Sequence, residues 1–183
     1  RCLDSLKVDS CINPIKRTYM KTAQLKAGSK VEIAEQDPPT ACEDFVLVKV
    51  HSAPMCTEYK GYKNGEEDLC LGHEAAGEVV EVAQPGKVKV GDRVVVMPQY
   101  PCGKCDLCHH GDYIHCEYVV DPMQTCSIHS GLATYSQYVI KQDWLLLPIP
   151  EEMSYDHASM ACCGLGASFG AMNLMDVGPF DTV

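Results

Sequence analysis

The segment Cys102-Gly-Lys-Cys105-Asp-Leu-Cys108-His-His-Gly-Asp-Tyr-Ile-His-Cys116 places four thiols within fifteen residues. Two residues between cysteines turn the backbone back on itself, so neighbouring sulfurs can approach one ion, and Gly103 and Gly111 supply the dihedral freedom that such wrapping needs. Zinc takes four thiolates tetrahedrally at about 2.3 Å, and a shell so filled has no vacancy for substrate. The expected site is therefore structural, and its binding free energy acts as folding energy for a lobe over 98–118 that is too small to make its own core. Disulfides are the poorer account, because three cysteines at a spacing of three cannot form two independent unstrained bridges. His109, His110 and His115 could each replace a sulfur, but four cysteines already complete the shell. A nucleic-acid knuckle is disfavoured: residues 102–116 hold one Lys, two Asp and no Arg, so the lobe has little with which to grip phosphates.

Three further places offer ligands: Met55-Cys56-Thr57-Glu58, Leu71-Gly72-His73-Glu74, and Ala161-Cys162-Cys163-Gly164. Each alone is weak, since a single His or Cys is more often packed than ligating, and a chain with 12 cysteines contains pairs by chance. Joined, they would leave one coordination position of a zinc ion open. An alcohol in that position is acidified, as water is, so that its hydride can pass to an acceptor.

The elements that must carry these residues read as short β-runs from residue 20 to about 150, broken by Gly, Pro, Asp and Asn. Strands are expected at Met20–Leu25, Phe45–Val50, Gly77–Val82, Arg93–Met97, Tyr135–Ile140 and Trp144–Leu147. Regularly spaced short strands favour a compact all-β barrel or sandwich. After Pro150 the text turns helical: Pro150-Glu-Glu reads as a helix start, and Ala158–Met175 is rich in Ala, Met and Leu. Residues 1–19 have no clean period and read as an N-terminal extension or an expression artefact ahead of Met20.

Composition limits the partners. Fifteen basic against 25 acidic residues give a net charge of −10, which argues against a nucleic-acid or anionic-membrane surface. The uncharged run Ala158–Met175 reaches spanning length, but its three Gly, two Ser and one Asn favour a helix buried in protein. No secretory signal is visible in Arg1–Lys21, and the expected setting is cytoplasmic.

Together, Gly72-His73-Glu74 with Gly77, Gly91-Asp92-Arg93-Val94 and the cysteines at 102, 105, 108 and 116 resemble the medium-chain dehydrogenase/reductases, and within them the zinc-dependent alcohol dehydrogenases. The resemblance runs from about Met20 to the end. It implies a mainly β fold with C-terminal helices: a GroES-like β-barrel catalytic domain over 20–157 with a protruding four-cysteine zinc lobe, then, over 158–183, a linking helix and the beginning of a truncated nucleotide-binding domain. It implies two zinc ions per chain, the catalytic one held by Cys56, His73 and Cys163, with Cys162 as the adjacent rival. Glu74 takes the place of the family's carboxylate beside the metal, and Ala167 and its neighbours line the nicotinamide end of NAD or NADP. The implied substrate is a small alcohol or carbonyl, and the full-length protein is expected to be a homo-oligomer. A segment ending at Val183 would be inactive alone.

This sequence departs from the family at the proton route. Where Ser or Thr and then Asp commonly follow the first cysteine ligand, Glu58 and Tyr59 stand here. Glu58 is read as the proton acceptor or an extra metal contact, with Thr57 as the spare hydroxyl; the alternative is a solvated surface carboxylate. Gly164-Leu-Gly166-Ala-Ser-Phe-Gly170 is rejected as a dinucleotide fingerprint, because its spacing is one residue too long and no hydrophobic strand precedes it. Two rival readings are a relative with structural zinc only and an empty second site, and a zinc-knuckle interaction module.

Overall fold

The computed structural model describes residues 19–68, 71–178 and 180–182. The extension read over 1–19 lies outside them except for Tyr19, as do Pro179 and Val183 at the expected opening of a further domain; Phe180–Thr182 carry no strand.

Two antiparallel sheets make the body. Strands β1 (Met20–Lys26) and β2 (Lys30–Gln36) form a hairpin whose register runs from Met20↔Gln36 to Lys26↔Lys30. Strand β2 is absent from the sequence expectations. Its alternation of Val31 and Ile33 points outward, where both are exposed, so it reads as no core strand; the turn Ala27-Gly28-Ser29 ahead of that alternation is the signal that could have found it. The second sheet has the order β6-β3-β4-β5-β7, from β3 (Phe45–Ser52), β4 (Ala75–Glu81), β5 (Arg93–Val96), β6 (Tyr138–Gln142) and β7 (Leu146–Pro148). Val46 and Val48 of β3 pack with Val79, Val94, Val96, Val139 and Leu146 on one face. Phe45 turns to the other, with Ile128 and Ile140. Both faces of the first half of β3 are thus covered, which is why it reads as an unbroken apolar run. Gly77 is required by close approach: a Cβ there would lie 2.1 Å from the Lys49 carbonyl oxygen of the neighbouring strand.

Short helices fill the connections: α1 (Glu58–Asn64), α2 (Asp106–His109) and α3 (Pro122–Cys126), with 3₁₀ turns at Tyr113–His115 and Asp143–Leu145. The last two helices correct the sequence reading. Pro150-Glu-Glu is a turn, and α4 (Tyr155–Ser159) begins at Ser154, whose hydroxyl accepts the His157 N–H at 3.3 Å. The run from Ala158 is not one helix; it breaks at Met160–Cys162 before α5 (Cys163–Leu174). Helix α5 buries none of its residues and leaves Leu165, Phe169 and Leu174 exposed. Among the described residues no helix is long and apolar enough to cross a membrane.

Cys42 and Cys126 form a disulfide joining the loop before β3 to the end of α3, 84 residues apart. Neither residue has a role in the sequence reading, which treats disulfide and metal thiolate as alternatives; the fold contains a disulfide outside both thiol clusters.

Candidate metal centres

Among the described residues, two groups of ligand atoms gather, each within 4.8 Å of one another: Cys102, Cys105, Cys108 and Cys116 in one, and Cys56, His73, Glu74 and Cys163 in the other.

The four-sulfur group is built locally. Gly103 and Gly111 adopt φ of 70° and 80°, as the wrapping requires. The Cys102 and Cys108 sulfurs stand 3.9 Å apart, close to the ~3.8 Å between two vertices of a tetrahedron with bonds of about 2.3 Å. Backbone N–H groups of Cys102 and Lys104 donate to the sulfurs of Cys116 and Cys102 at 3.2 and 3.3 Å. The Lys104 N–H is the main reason the Cys102 thiol is drawn down to about 6, while burial, followed by the hydrogen bond with Cys105, pushes Cys108 up to about 12. Packing opposes ionisation at Cys108, and a divalent cation bound by the four sulfurs would offset that cost. His110 and His115 turn instead to the Asp106 carbonyl and the Asp112 carboxylate.

The stem of this lobe is tied to β6. Lys141 Nζ donates to the Gln99 carbonyl at 2.6 Å and sits 3.5 Å above the centre of the Tyr100 ring, and the Gln142 amide donates to the Pro101 carbonyl at 3.0 Å. These polar residues, each 3% exposed, sit where the strand pattern calls for apolar ones. Burial brings the Lys141 ammonium down to about 7.

The mixed group is assembled from distant chain. Cys56 lies in the loop after β3, His73 two residues before β4, and Cys163 at the start of α5. The sulfurs of Cys56 and Cys163 approach to 3.3 Å across 107 residues of sequence. The hydrogen bond with Cys56, then burial, raises the Cys163 thiol to about 11, a cost that a bound cation would offset. Cys162, the rival third ligand, points away, with its sulfur 3.5 Å from that of Met97.

Glu58 does not join the ligand atoms, and it is not a solvated carboxylate. Its side chain is 11% exposed; Oε1 lies 2.6 Å from His73 Nδ1, and Oε2 accepts the Cys56 N–H at 2.9 Å. Burial opposes its charge, but the Glu58 and Cys56 backbone N–H groups and the His73 ring outweigh it and hold the carboxyl below its ordinary value. A carboxylate only accepts, so His73 Nδ1 carries the hydrogen and Nε2 keeps its lone pair toward the cluster. Glu58 does this from the first turn of α1, a helix without an expectation in the sequence. Thr57 precedes that helix and makes no capping hydrogen bond. Ala167 lies one turn after Cys163 on the same side of α5 and is exposed.

Two residues position this group without an assigned role in the sequence reading. Arg93, from the Gly91-Asp92-Arg93-Val94 motif, donates to the carbonyls of Pro150, Glu151 and Met153 at 3.2, 2.9 and 2.5 Å. It also lies 4.6 Å from the centre of the Tyr155 ring, on which His51 stacks at 4.4 Å. The start of α4, and with it the chain leading to Cys163, is thereby fixed to the sheet. Tyr135 donates its hydroxyl to the Pro54 carbonyl at 3.0 Å, ahead of Cys56. An apolar hollow of about 500 Å³ lies beside Glu58, lined by Leu25, Met55, Tyr59, Tyr62 and Tyr135 among others.

Residues 42–151 match the alcohol dehydrogenase GroES-like domain, more than half of the chain. The chain belongs to this family. The resemblance read from the Gly-His-Glu segment, the Gly-Asp-Arg-Val turn and the cysteine spacing is thereby shown. Sorbitol dehydrogenase of Bacillus subtilis is 33% identical over 150 residues, covering 77% of this chain and 41% of that protein. D-arabitol-phosphate dehydrogenase of Enterococcus avium is 36% identical over 141 residues, covering 68% and 37%. The D-arabinose dehydrogenase of Sulfolobus solfataricus superposes with a TM-score of 0.58 at 29% identity, covering 78% of this chain and 44% of that one. The chain thus spans less than half of the length of these relatives.

Proposed function

We propose that this chain is the metal-binding catalytic domain, over 20–157, of an NAD(P)-dependent alcohol dehydrogenase-type oxidoreductase, followed over 158–183 by a linking helix and the start of a nucleotide-binding domain. One observation carries the reading: Cys56, His73 and Cys163 bring two sulfurs and an imidazole nitrogen together beside Glu74. Cys56, His73 and Cys163 would hold a zinc ion, which would supply Lewis acidity toward an alcohol or carbonyl oxygen. Cys56 and Cys163 provide the anionic ligands and His73 the neutral one. Glu58 fixes the His73 tautomer, which supports a positioning role over the proton-acceptor role, and Thr57 remains the hydroxyl available for proton transfer. Cys102, Cys105, Cys108 and Cys116 hold the structural zinc, the first ion, and the Cys56–His73–Cys163 group holds the second. Ala167 and the exposed apolar residues of α5 fit a nucleotide domain that brings the nicotinamide to the open face and completes an oligomeric enzyme acting on small alcohols or carbonyls. The thiolates require a reducing setting such as the cytoplasm; the Cys42–Cys126 bond points the other way, and its redox state in freshly isolated protein tests the placement.

Metal analysis of the purified chain against Cys56→Ser tests the function. Two zinc ions falling to one, with the fold retained, supports it. One ion in both proteins overturns it in favour of a domain with structural zinc alone.

A further inference from the structure

Helix α5 starts without a local cap: Cys162 precedes it and contributes no side-chain hydrogen bond. The first N–H groups of a helix need acceptors, and here the acceptor comes from the far side of the sequence. Glu74 Oε1 accepts from Cys163 N at 2.5 Å and from Gly164 N at 3.0 Å. Glu74 is 2% exposed, so water cannot replace it. Its other oxygen, Oε2, lies 3.9 Å from His73 Nε2. The residue chained directly to one ligand therefore holds the backbone of another.

We infer that Glu74 is a positioning residue for the third ligand: by capping α5 from the position next to His73, it sets the distance between His73 and Cys163. The inference rests on the metal-centre reading above, but the capping contact exists without an ion and can be measured without one. A helix N-terminus favours a negative cap, yet the contact itself needs only an acceptor oxygen at the right reach. That separates capping from metal ligation, because an amide oxygen can accept N–H bonds but is a poor ligand for zinc.

The experiment compares Glu74→Gln, Glu74→Asp and Glu74→Ala with the unaltered chain. It reads amide exchange at Cys163 and Gly164 in the metal-free protein, affinity for the second zinc ion by chelator competition, and the cobalt–thiolate absorption after cobalt loading. Glu74→Ala is expected to expose both amides, weaken the second ion 10- to 100-fold and lower the thiolate absorption, with the first ion unaffected. Glu74→Asp, charged but a methylene short, is expected to behave like Ala, and Glu74→Gln to rescue all three readouts. Gln as weak as Ala in ion affinity while its amides stay protected overturns the inference, since Glu74 would then act as a ligand. Unchanged amide exchange in Ala overturns it as well. An unaltered chain that takes up one ion only would instead remove the metal-centre reading, and the amide result would still decide the cap.

Discussion

The two candidate metal groups of this domain are assembled in opposite ways. The four cysteines of the lobe belong to one fifteen-residue stretch whose secondary structure amounts to a four-residue helix and a 3₁₀ turn. Little apolar burial supports it beyond the Trp144 ring, which meets Tyr113 edge-on at 5.6 Å and covers Gly103. Cys56, His73 and Cys163 instead hang from β3, β4 and α5, and are held by Glu58, Glu74 and Arg93 before any ion arrives. On the proposed reading, a cluster that is local in sequence would depend on a metal for its shape. A cluster gathered from distant chain takes its shape from the fold and can leave a coordination position open.

The strongest way to break this comparison is to remove metal. Chelation is expected to unfold residues 98–118, because apparent binding energies of structural zinc reach about 10–16 kcal/mol; hydrogen exchange should show that segment losing protection while β3 and β4 keep theirs. If β3 and β4 lose protection together with the lobe, the two regions are not independent. Cys56→Ser should delete one zinc of two and shift the thermal midpoint little, since a loop residue of the mixed group supports no core.

Gly72→Ala should be costly by at least about 2 kcal/mol. Gly72 has φ of 92°, and a Cβ would lie 2.5 Å from the Thr134 hydroxyl and 2.8 Å from the Tyr135 backbone nitrogen. Chemical denaturation measures the loss, and zinc affinity at the neighbouring His73 should fall with it, while the lobe keeps its ion. Glu58→Gln should weaken the second ion about tenfold by loosening His73. If the longer protein has the proposed activity, a pH–rate profile that moves in this variant by more than the change in metal occupancy explains would restore Glu58 as a proton acceptor.

The smallest effect concerns the stem between lobe and sheet. Lys141, brought to about 7 by burial, is charged in both folded and unfolded chains below pH 7. Between about pH 7 and about 10.4 it is neutral when folded and charged when unfolded. The unfolded chain binds more protons in that window, so stability rises with pH across it. Lys141→Met should flatten this slope in denaturation midpoints measured from pH 7 to 10; an unchanged slope would mean that the ammonium is not buried as described.

The lobe was legible in the text because its chemistry repeats at the period of its own backbone: two residues between sulfurs, glycines at the turns, no basic face. The apolar runs at Phe45–Val50 and Arg93–Met97 were legible for a similar reason, as β-formers bounded by breakers. Strand β2 was missed because its apolar residues face outward, and the break before α5 because nothing in Met160-Ala-Cys162 ends a helix by propensity. Cys163 was chosen by resemblance; only the break at Cys162 turns its sulfur toward Cys56.

By itself, the order of residues determined which groups can ionise or ligate, and where neighbouring thiols must meet, since these depend on covalent spacing. The tertiary structure decided which distant groups share a space: that Glu58 faces His73 Nδ1 rather than the open face, that Cys162 turns to Met97, and that Glu74 reaches the first turn of α5. Such contacts are set by strand register and helix breaks, which sum weak interactions over the whole domain and leave no mark at any single position.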